Sequence, residues 1–592
     1  MAAVTLIITE KPSVAQSIAS VIGAKNRKDG YLEGSGYLVS WCYGHLAELA
    51  NADVYNEKFR KWRAEDLPIF PDEWKYVAAE DKAKHLALLK KLLNRKDVTE
   101  VVNACDAGRE GELIFRTVYN LSGCTKLMKR LWISSMEDEA IRDGIRNLRI
   151  GTDYDRLYAA ALCRAKADWL VGINMTRFFS IQYDNLLNVG RVVSPTLSLI
   201  ASREAEIGAF TSEPFYTVVL DCGFSLVSER LKDKGEAENL AEGCRDSTVT
   251  VTKAESKEKS ERAPQLYDLT SLQRDANRLL GYTAQQTLNY LQSLYEKKLC
   301  TYPRTDSRYL TDDMVETVPK LLSAAAAICQ IRVPDGISEK QICNSKKVSD
   351  HHAVVPTEKA GTVDLMGLSA GEREILRLVA QQLMMAAGSP CKYKETEITA
   401  ECADTEFHAK GKVMTEPGWR SIIPAPEAKE ELPDLEAGAK LPINNVEVKT
   451  GKTTPPQRYT EDTLLSAMAS AGEKEMPEDA ERQGIGTPAT RAGIIEKLIS
   501  AGFAVRQKSK KAVYLVPTDI GNALITVLPE DLQSPLLTAK WETDLKRVEK
   551  GELSDKEFMT GIEDMVLEII RNYKKLPGAE MLFPKRERRK KS

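Results

Sequence analysis

The sequence predicts a multidomain fold, α/β at its start and then α and β in alternating blocks, and three observations carry that reading. At 592 residues the chain is too long for one core and divides into about three to five domains. Its first 150 or so residues twice run from an apolar β-branched stretch through an acid-bearing turn into a helical pattern. Beyond them, helical text from Asp155 changes to strand-like text from Pro214, to helix over 266–390 and to strand again over 392–450. That order inserts a helical unit into a β-rich one.

The opening block begins with the apolar run Val4 to Ile8, followed by Pro12 and the helical spacing of Ala15, Ile18, Ala19 and Ile22, which stops at Gly23. Glu10 and Lys11 therefore sit just past a strand's carboxyl end. Val98 to Ala104 repeats the pattern, with Asp106 to Arg109 in the turn and a helix through Leu113, Ile114 and Val118. Strand ends of open α/β sheets converge on the ligand crevice, so Glu10 and Asp106 are expected to face each other. Two carboxylates at adjacent strand tips suggest magnesium, which binds through one or two carboxylates plus a substrate phosphate. Either acid alone would as readily be a surface charge or a helix N-terminal cap. Leu131 to Ser134, followed by a helix from Ile141 to Leu148, reads as a further β/α unit.

The helical text from Asp155 places Leu157, Ala161, Leu162, Ala165 and Trp169 on one side, with Arg164, Asp168 and Arg177 on others. Cations for phosphates beside an aromatic face suit single-stranded DNA, although a core tryptophan flanked by solvated charges gives the same text. Trp62, between Lys61 and Arg63, is a weaker contact of the same kind. From Pro214, strands are expected over Phe215 to Phe224 and Ser247 to Lys253, separated by a charged 228–245 loop. The later β block holds the acidic stretch Glu427 to Glu436. Helices follow at Tyr459 to Ala469 and Ala489 to Ala501, connected through Gly484 to Pro488, with a strand wing at Lys511 to Pro517.

Leu299-Cys-Thr-Tyr-Pro-Arg-Thr-Asp-Ser307 reads as a nucleophile site. Pro303 pushes Tyr302 into the extended region, and Arg304, two residues on, shares its face. A phenol with a pKa of about 10 attacks poorly unless a neighbouring cation favours the phenolate. Arg304 meets that need; an ordinary surface turn is the alternative.

Composition narrows the class. No apolar run approaches the ~20 residues of a membrane span, and the first residues lack the basic region of a signal peptide. Eleven scattered cysteines form no Cys-x-x-Cys pair, which argues for a reducing, cytoplasmic setting and against structural zinc. With a net charge of −3, nucleic-acid contacts must be local. One basic patch is the tail, Lys585-Arg-Glu-Arg-Arg-Lys-Lys591. His351 and His352 are adjacent but the five histidines lack metal-ligand spacing, and Gly451-Lys-Thr453 does not complete a P-loop, so no ATP site is expected.

Read together, Tyr302-Pro-Arg-Thr-Asp-Ser307, Glu10-Lys-Pro-Ser13, Asp106-Ala-Gly-Arg-Glu-Gly-Glu112, Gly190-Arg-Val-Val-Ser-Pro-Thr196, Asp350-His-His-Ala353 and Gly486-Thr-Pro-Ala-Thr-Arg491 resemble, in order, the motifs of type IA DNA topoisomerases, in particular their bacterial topoisomerase III branch. The resemblance spans roughly residues 6 to 540. It implies a Toprim domain (1–153) in a toroidal core, a helical gate domain (154–213 and 460–575), a β-rich hinge (214–265 and 392–459), a helical domain with the tyrosine (266–391) and a basic tail (576–592). It further implies Tyr302 as nucleophile, Glu10 as proton donor, Lys11 and Arg304 as charge stabilisers, and His351 near the scissile phosphate. Magnesium is expected at Glu10 and Asp106 with Glu110. DNA contacts are expected at Gly190, Arg191, Ser194 and Thr196 beside Trp62, Arg164, Asp168, Trp169 and Arg177. The family's Asp-x-Asp-x-Glu run has Gly108 at its second aspartate here, which removes one carboxylate. The implied activity is ATP-independent breakage and rejoining of one strand of single-stranded or underwound DNA, by a monomer with a helicase as candidate partner. A Toprim nuclease or primase would need no Tyr302, a relaxase would need a histidine cluster, and a non-catalytic DNA binder would have no use for the Tyr302/Arg304 pair.

Overall fold

The computed structural model describes residues 3–133, 136–333, 335–348, 351–423, 431–471, 484–510 and 512–584. The expected tail patch 585–591, Asp350, and part of the 427–436 acidic stretch lie outside them.

The opening block is a seven-stranded sheet flanked by helices. Its middle is parallel: Tyr37–Trp41, Val4–Thr9, Val98–Ala104 and Leu127–Arg130 lie side by side in that order. Leu6, Ile7, Ile8, Val101 and Val102 are fully buried, as a sheet covered on both faces requires. Thr9 is in register with Ala104, so the chain leaves the two central strands at one level, toward Glu10 and Asp106. The first helix, Pro12–Ile22, starts on Pro12, whose missing N–H costs nothing there, and ends on Gly23 at φ +84°. The third β/α unit is displaced from its expected place. The strand is Leu127–Arg130, which pairs with Glu100–Asn103 and buries Arg130 against backbone carbonyls, and Leu131–Ile133 lie beyond it.

Seven antiparallel strands drawn from 214–261 and 391–452 make a second sheet, in which Pro214–Asp221 pairs with Asn445–Lys452 and Val249–Glu261 with Cys391–Cys402. The expected 228–245 loop is instead the end of a short strand, Ser225–Ser228, and a helix, Lys234–Arg245. That helix is capped by the Asp233 side chain, and its small residues Ala237, Ala241 and Cys244 pack on the sheet. High charge conceals the helical spacing, four residues and then three, of Ala237, Ala241 and Cys244.

Between Glu261 and Cys391 the chain builds a helical unit. Leu269–Leu280, Ala284–Glu296 and Ala370–Ala387 each begin with a reciprocal capping box, at Asp268, Thr283 and Ser369. Leu272, Leu291, Leu294, Leu322, Val379 and Leu383 fill its core. Another core unites distant segments: Leu170 and Phe179 of the helix Asp155–Tyr183 pack with Leu464, Ile495, Leu545 and Val566 of the returning chain. The expected wing is a hairpin of Ala504–Lys508 and Val513–Pro517.

Candidate active site

Each reactive side chain is presented by backbone that local chemistry fixes. Thr9 Oγ1 donates to the Lys11 carbonyl at 2.8 Å, and the Gly44 N–H donates to the Glu10 carbonyl at 3.1 Å, so the turn after the first strand is held from both sides. The Asp106 loop is held by Arg130, a fully buried guanidinium that donates to the carbonyls of Asn103, Cys105, Leu131 and Asp106. Gly111 packs under the same loop, where a Cβ would lie 1.9 Å from the Asp106 carbonyl oxygen. Tyr302 lies on an extended stretch clasped by 353–357: the Thr301 N–H donates to the Val355 carbonyl and Thr301 Oγ1 to that of Ala353. Thr305 Oγ1 donates to the His351 carbonyl at 2.8 Å.

These segments bring Tyr302, Glu10, Lys11, Asp106 and Arg304 together, although 292 residues separate the first two in sequence. Tyr302 Oη donates to Asp106 Oδ2 at 3.2 Å. Lys11 Nζ lies 3.7 Å from Glu10 Oε1 and 3.9 Å from Asp106 Oδ2, and Arg304 Nη1 lies 3.8 Å from Glu10 Oε1. Burial and then the Asp106 charge raise the Glu10 carboxyl to about 7, against the pull of Lys11 and Arg304. Burial and Asp106 also push the Tyr302 phenol well above its ordinary value, with Arg304 opposing. The phenol is thus protonated at neutrality, and near neutrality the Glu10 carboxyl holds a transferable proton. The His351 ring lies 4.2 Å from the Tyr302 ring, tilted 35° to it, and its Nε2 pairs with the Ala107 carbonyl at 2.7 Å. Burial lowers its basicity, which favours a neutral imidazole donating to that carbonyl.

Buried polar atoms without hydrogen-bond partners are rare in native proteins and mark places where something else binds. Glu10 Oε2, Lys11 Nζ and Arg304 Nε are three such atoms, all at this site. Glu10 and Arg304 line a cavity of about 1070 Å³ whose walls come from the opening block, the tyrosine unit and both helical segments of the gate, including Asp106, Tyr302, Arg164 and Arg491. Oxygen donors suit a hard divalent ion, and the orphaned Glu10 oxygen beside Asp106 fits one. Glu110 does not join them: its carboxylate pairs with His45 Nε2 at 2.6 Å, a contact that holds its pKa below the ordinary value. Among the described residues no three His, Cys, Asp or Glu side chains gather as a metal cluster. Glu112 is also committed, to Asn103, Arg116 and Arg130.

The expected DNA-contacting residues divide. Arg164 lines the cavity beside Asp168. Trp62 is 42% exposed, with the Arg177 guanidinium 5.3 Å from its ring, and both border a smaller cavity of about 270 Å³. Gly190 leaves open space, since a Cβ there would meet nothing nearer than 3.9 Å. Arg191, expected to meet phosphate, is instead turned inward, paired with Asp168 at 3.0 Å and Glu542 at 3.2 Å. Ser194 and Thr196 are buried at a helix start, where Ser194 Oγ accepts from the Gly190 N–H and Thr196 Oγ1 donates to the Val192 carbonyl. Trp169 packs between Tyr55 and Trp74 and donates its indole N–H to the Ala50 carbonyl, joining two parts of the fold. Those four side chains have their partners within the protein in this structure.

Sequence reading missed Arg130, His45 and Glu542. Glu542 is a buried carboxylate that meets Arg109 at 3.3 Å as well as Arg191 and Arg164. Only the apolar positions around it, Trp541 and Leu545, carry a helical signal, and its partners lie hundreds of residues away.

A buried tyrosine facing paired acids and two cations over a shared cavity suits phosphoryl transfer onto a protein side chain. Comparison with known proteins agrees. Residues 5–136 match the Toprim domain, a divalent-metal-binding domain, and residues 152–560 match the DNA topoisomerase family. DNA topoisomerase 3 of Bacillus subtilis (strain 168) is 39% identical over 98% of this chain and 82% of its own length; that of Bacillus licheniformis is 38% identical over 96% and 82%. The structure of full-length topoisomerase I from Thermotoga maritima superposes with a TM-score of 0.75 at 23% identity, covering 96% of this chain and 91% of that one, and so shares its fold. The chain belongs to the type IA DNA topoisomerases.

Proposed function

We propose that this protein is an ATP-independent topoisomerase that cuts one strand of single-stranded or underwound DNA through Tyr302, lets DNA pass and reseals the cut. The observation that carries the reading is the Tyr302 hydroxyl directed at Asp106, with Glu10, Lys11 and Arg304 grouped around it. Tyr302 Oη attacks phosphorus and its proton passes to Asp106, the acceptor it already faces. A bond forms between Oη and the 5′-phosphate as the bond from phosphorus to the 3′-oxygen breaks. The leaving 3′-oxygen takes its proton from Glu10, whose raised pKa suits a donor at neutral pH. Lys11 and Arg304 offset the negative charge that develops on the phosphate, in a site where they need no reorganisation. His351, pinned to the Ala107 carbonyl, positions the Tyr302 ring. Resealing runs the same proton transfers backwards.

Magnesium held by Glu10 and Asp106 would neutralise phosphate charge and help align the 3′-hydroxyl for resealing. Glu110, held by His45, would serve only after leaving that partner. Arg164, Trp62 and Arg177 are the groups best placed to receive the single strand, with Gly190 giving it room. The working units we propose are the Toprim block 1–153, a gate from 154–213 and 460–575, a hinge from 214–265 and 392–459, and the tyrosine unit 266–391. The test is relaxation of negatively supercoiled plasmid with magnesium and without ATP. Stepwise relaxation supports the reading; nicking without resealing would favour a nuclease.

A further inference from the structure

Between the strands Tyr37–Trp41 and Ala47–Leu49 the chain turns through Tyr43, at φ +54°, and Gly44, at φ +70°. Glycine or asparagine adopts such a conformation readily, whereas a bulky aromatic residue there is a true outlier. Strain of this kind persists only where the surroundings impose it. Here they do: Lys82 Nζ donates to the carbonyls of both Tyr43 and His45 at 3.0 Å, and the Gly44 N–H donates to the carbonyl of Glu10.

The ring that this strain carries is 48% exposed. It meets His85 edge-on at 4.9 Å and Trp41 edge-on at 6.0 Å, and those two rings stack on each other, so the phenol stands on a prebuilt aromatic base. One residue on is the Glu10 contact, and two residues on His45 lines the central cavity. A half-exposed, preordered aromatic ring beside a site that handles a phosphodiester matches the stacking platforms on which single-strand binders hold unpaired bases.

We propose that Tyr43 stacks against an unpaired nucleobase within one or two nucleotides of the scissile phosphate, whatever the identity of that base. This rests on the topoisomerase reading of the site.

Tyr43→Gly and Tyr43→Asn test it, because both suit the backbone at position 43 while removing the ring. Each should hold or raise the melting temperature and yet weaken binding of a single-stranded oligonucleotide, by roughly 5- to 100-fold. Tyr43→Phe should keep affinity within about twofold, since stacking uses the ring rather than the hydroxyl. With 2-aminopurine scanned through the oligonucleotide, the unmodified protein should quench one position near the cleavage point, and Tyr43→Gly should lose that quench. Unchanged affinity and quench in Tyr43→Gly would overturn the proposal, as would a joint loss of melting temperature and affinity, which would make the ring structural. Covalent trapping by the unmodified protein, run in parallel, reports on the reading of the site separately from this binding assay.

Discussion

The Tyr302 hydroxyl donates to Asp106 Oδ2 at 3.2 Å, so in the DNA-free protein the nucleophile is held by the acid positioned to take its proton. The same carboxylate raises both the phenol and the neighbouring Glu10. Replacing Asp106 by Asn should therefore lower both pKa values and remove the acceptor. Single-turnover cleavage at neutral pH should slow by roughly 10²-fold or more and recover toward alkaline pH, where solvent takes the proton. A rapid-quench rate profile against pH checks this. A profile that matches the unmodified protein would mean the proton leaves by another route.

Glu10 supplies a second pH signature. Its folded-state pKa of about 7 lies above the ordinary 4.5, so between those values the folded protein binds more protons than the unfolded chain. Stability must then fall as pH rises from about 4.5 to about 7, by an amount on the order of 3 kcal/mol at most. Glu10→Gln should abolish that decline and be the more stable protein above pH 7. Denaturant melts in EDTA across this range measure it; a variant with the same decline would place the titration elsewhere.

Glu112, at the end of the same acidic motif as Asp106, is an anchor by its partners. Both its oxygens face buried arginines, Arg116 and Arg130, and Arg130 in turn holds the carbonyls of the Asp106 loop. Glu112→Ala leaves the buried Arg130 without its carboxylate partner and Arg116 with Asp155 alone, and should destabilise the protein by about 3–5 kcal/mol. Glu110→Ala, at an exposed pair, should cost under about 1 kcal/mol. Paired thermal melts distinguish them, and equal losses would contradict the assignment.

The features legible in the sequence were those that local rules determine. Glu10 and Asp106 are legible because each follows a short apolar, β-branched run that leads into a helical pattern, and facing strand tips follow from that α/β pattern. Pro303 places Tyr302 on extended backbone beside Arg304, which leaves a surface turn open, and the resemblance of the whole motif set decides for the nucleophile. Direction of side chains was not legible. Arg191, Ser194 and Thr196 lie in a motif expected to meet DNA, yet they are satisfied internally, by Asp168, by Glu542 and by helix backbone. Which partner an arginine takes depends on what the fold brings near it, and Glu542 arrives from 351 residues away. His45 as partner of Glu110 was hidden for the same reason.

Gly108 stands where the family pattern has an aspartate, at φ +150°, and a Cβ there would meet no atom within 4 Å. Space therefore permits a side chain while the backbone disfavours one. Gly108→Ala and Gly108→Asp should both lose about 1–3 kcal/mol of stability from strain. Only Gly108→Asp should bind magnesium more tightly, and neither should be needed for turnover. Titration calorimetry with magnesium on all three proteins settles it; equal affinities would show that position 108 does not face the metal.

The most direct test of the account is covalent trapping with Tyr302→Phe. The substitution removes one oxygen from a ring that keeps its packing against Tyr295 and His351. Incubated with a single-stranded oligonucleotide and quenched with detergent, the unmodified protein should carry DNA joined through a 5′-phosphotyrosine, and Tyr302→Phe should carry none while binding the oligonucleotide with nearly unchanged affinity. Covalent DNA on Tyr302→Phe, or none on the unmodified protein, would contradict the assignment of Tyr302 as the nucleophile.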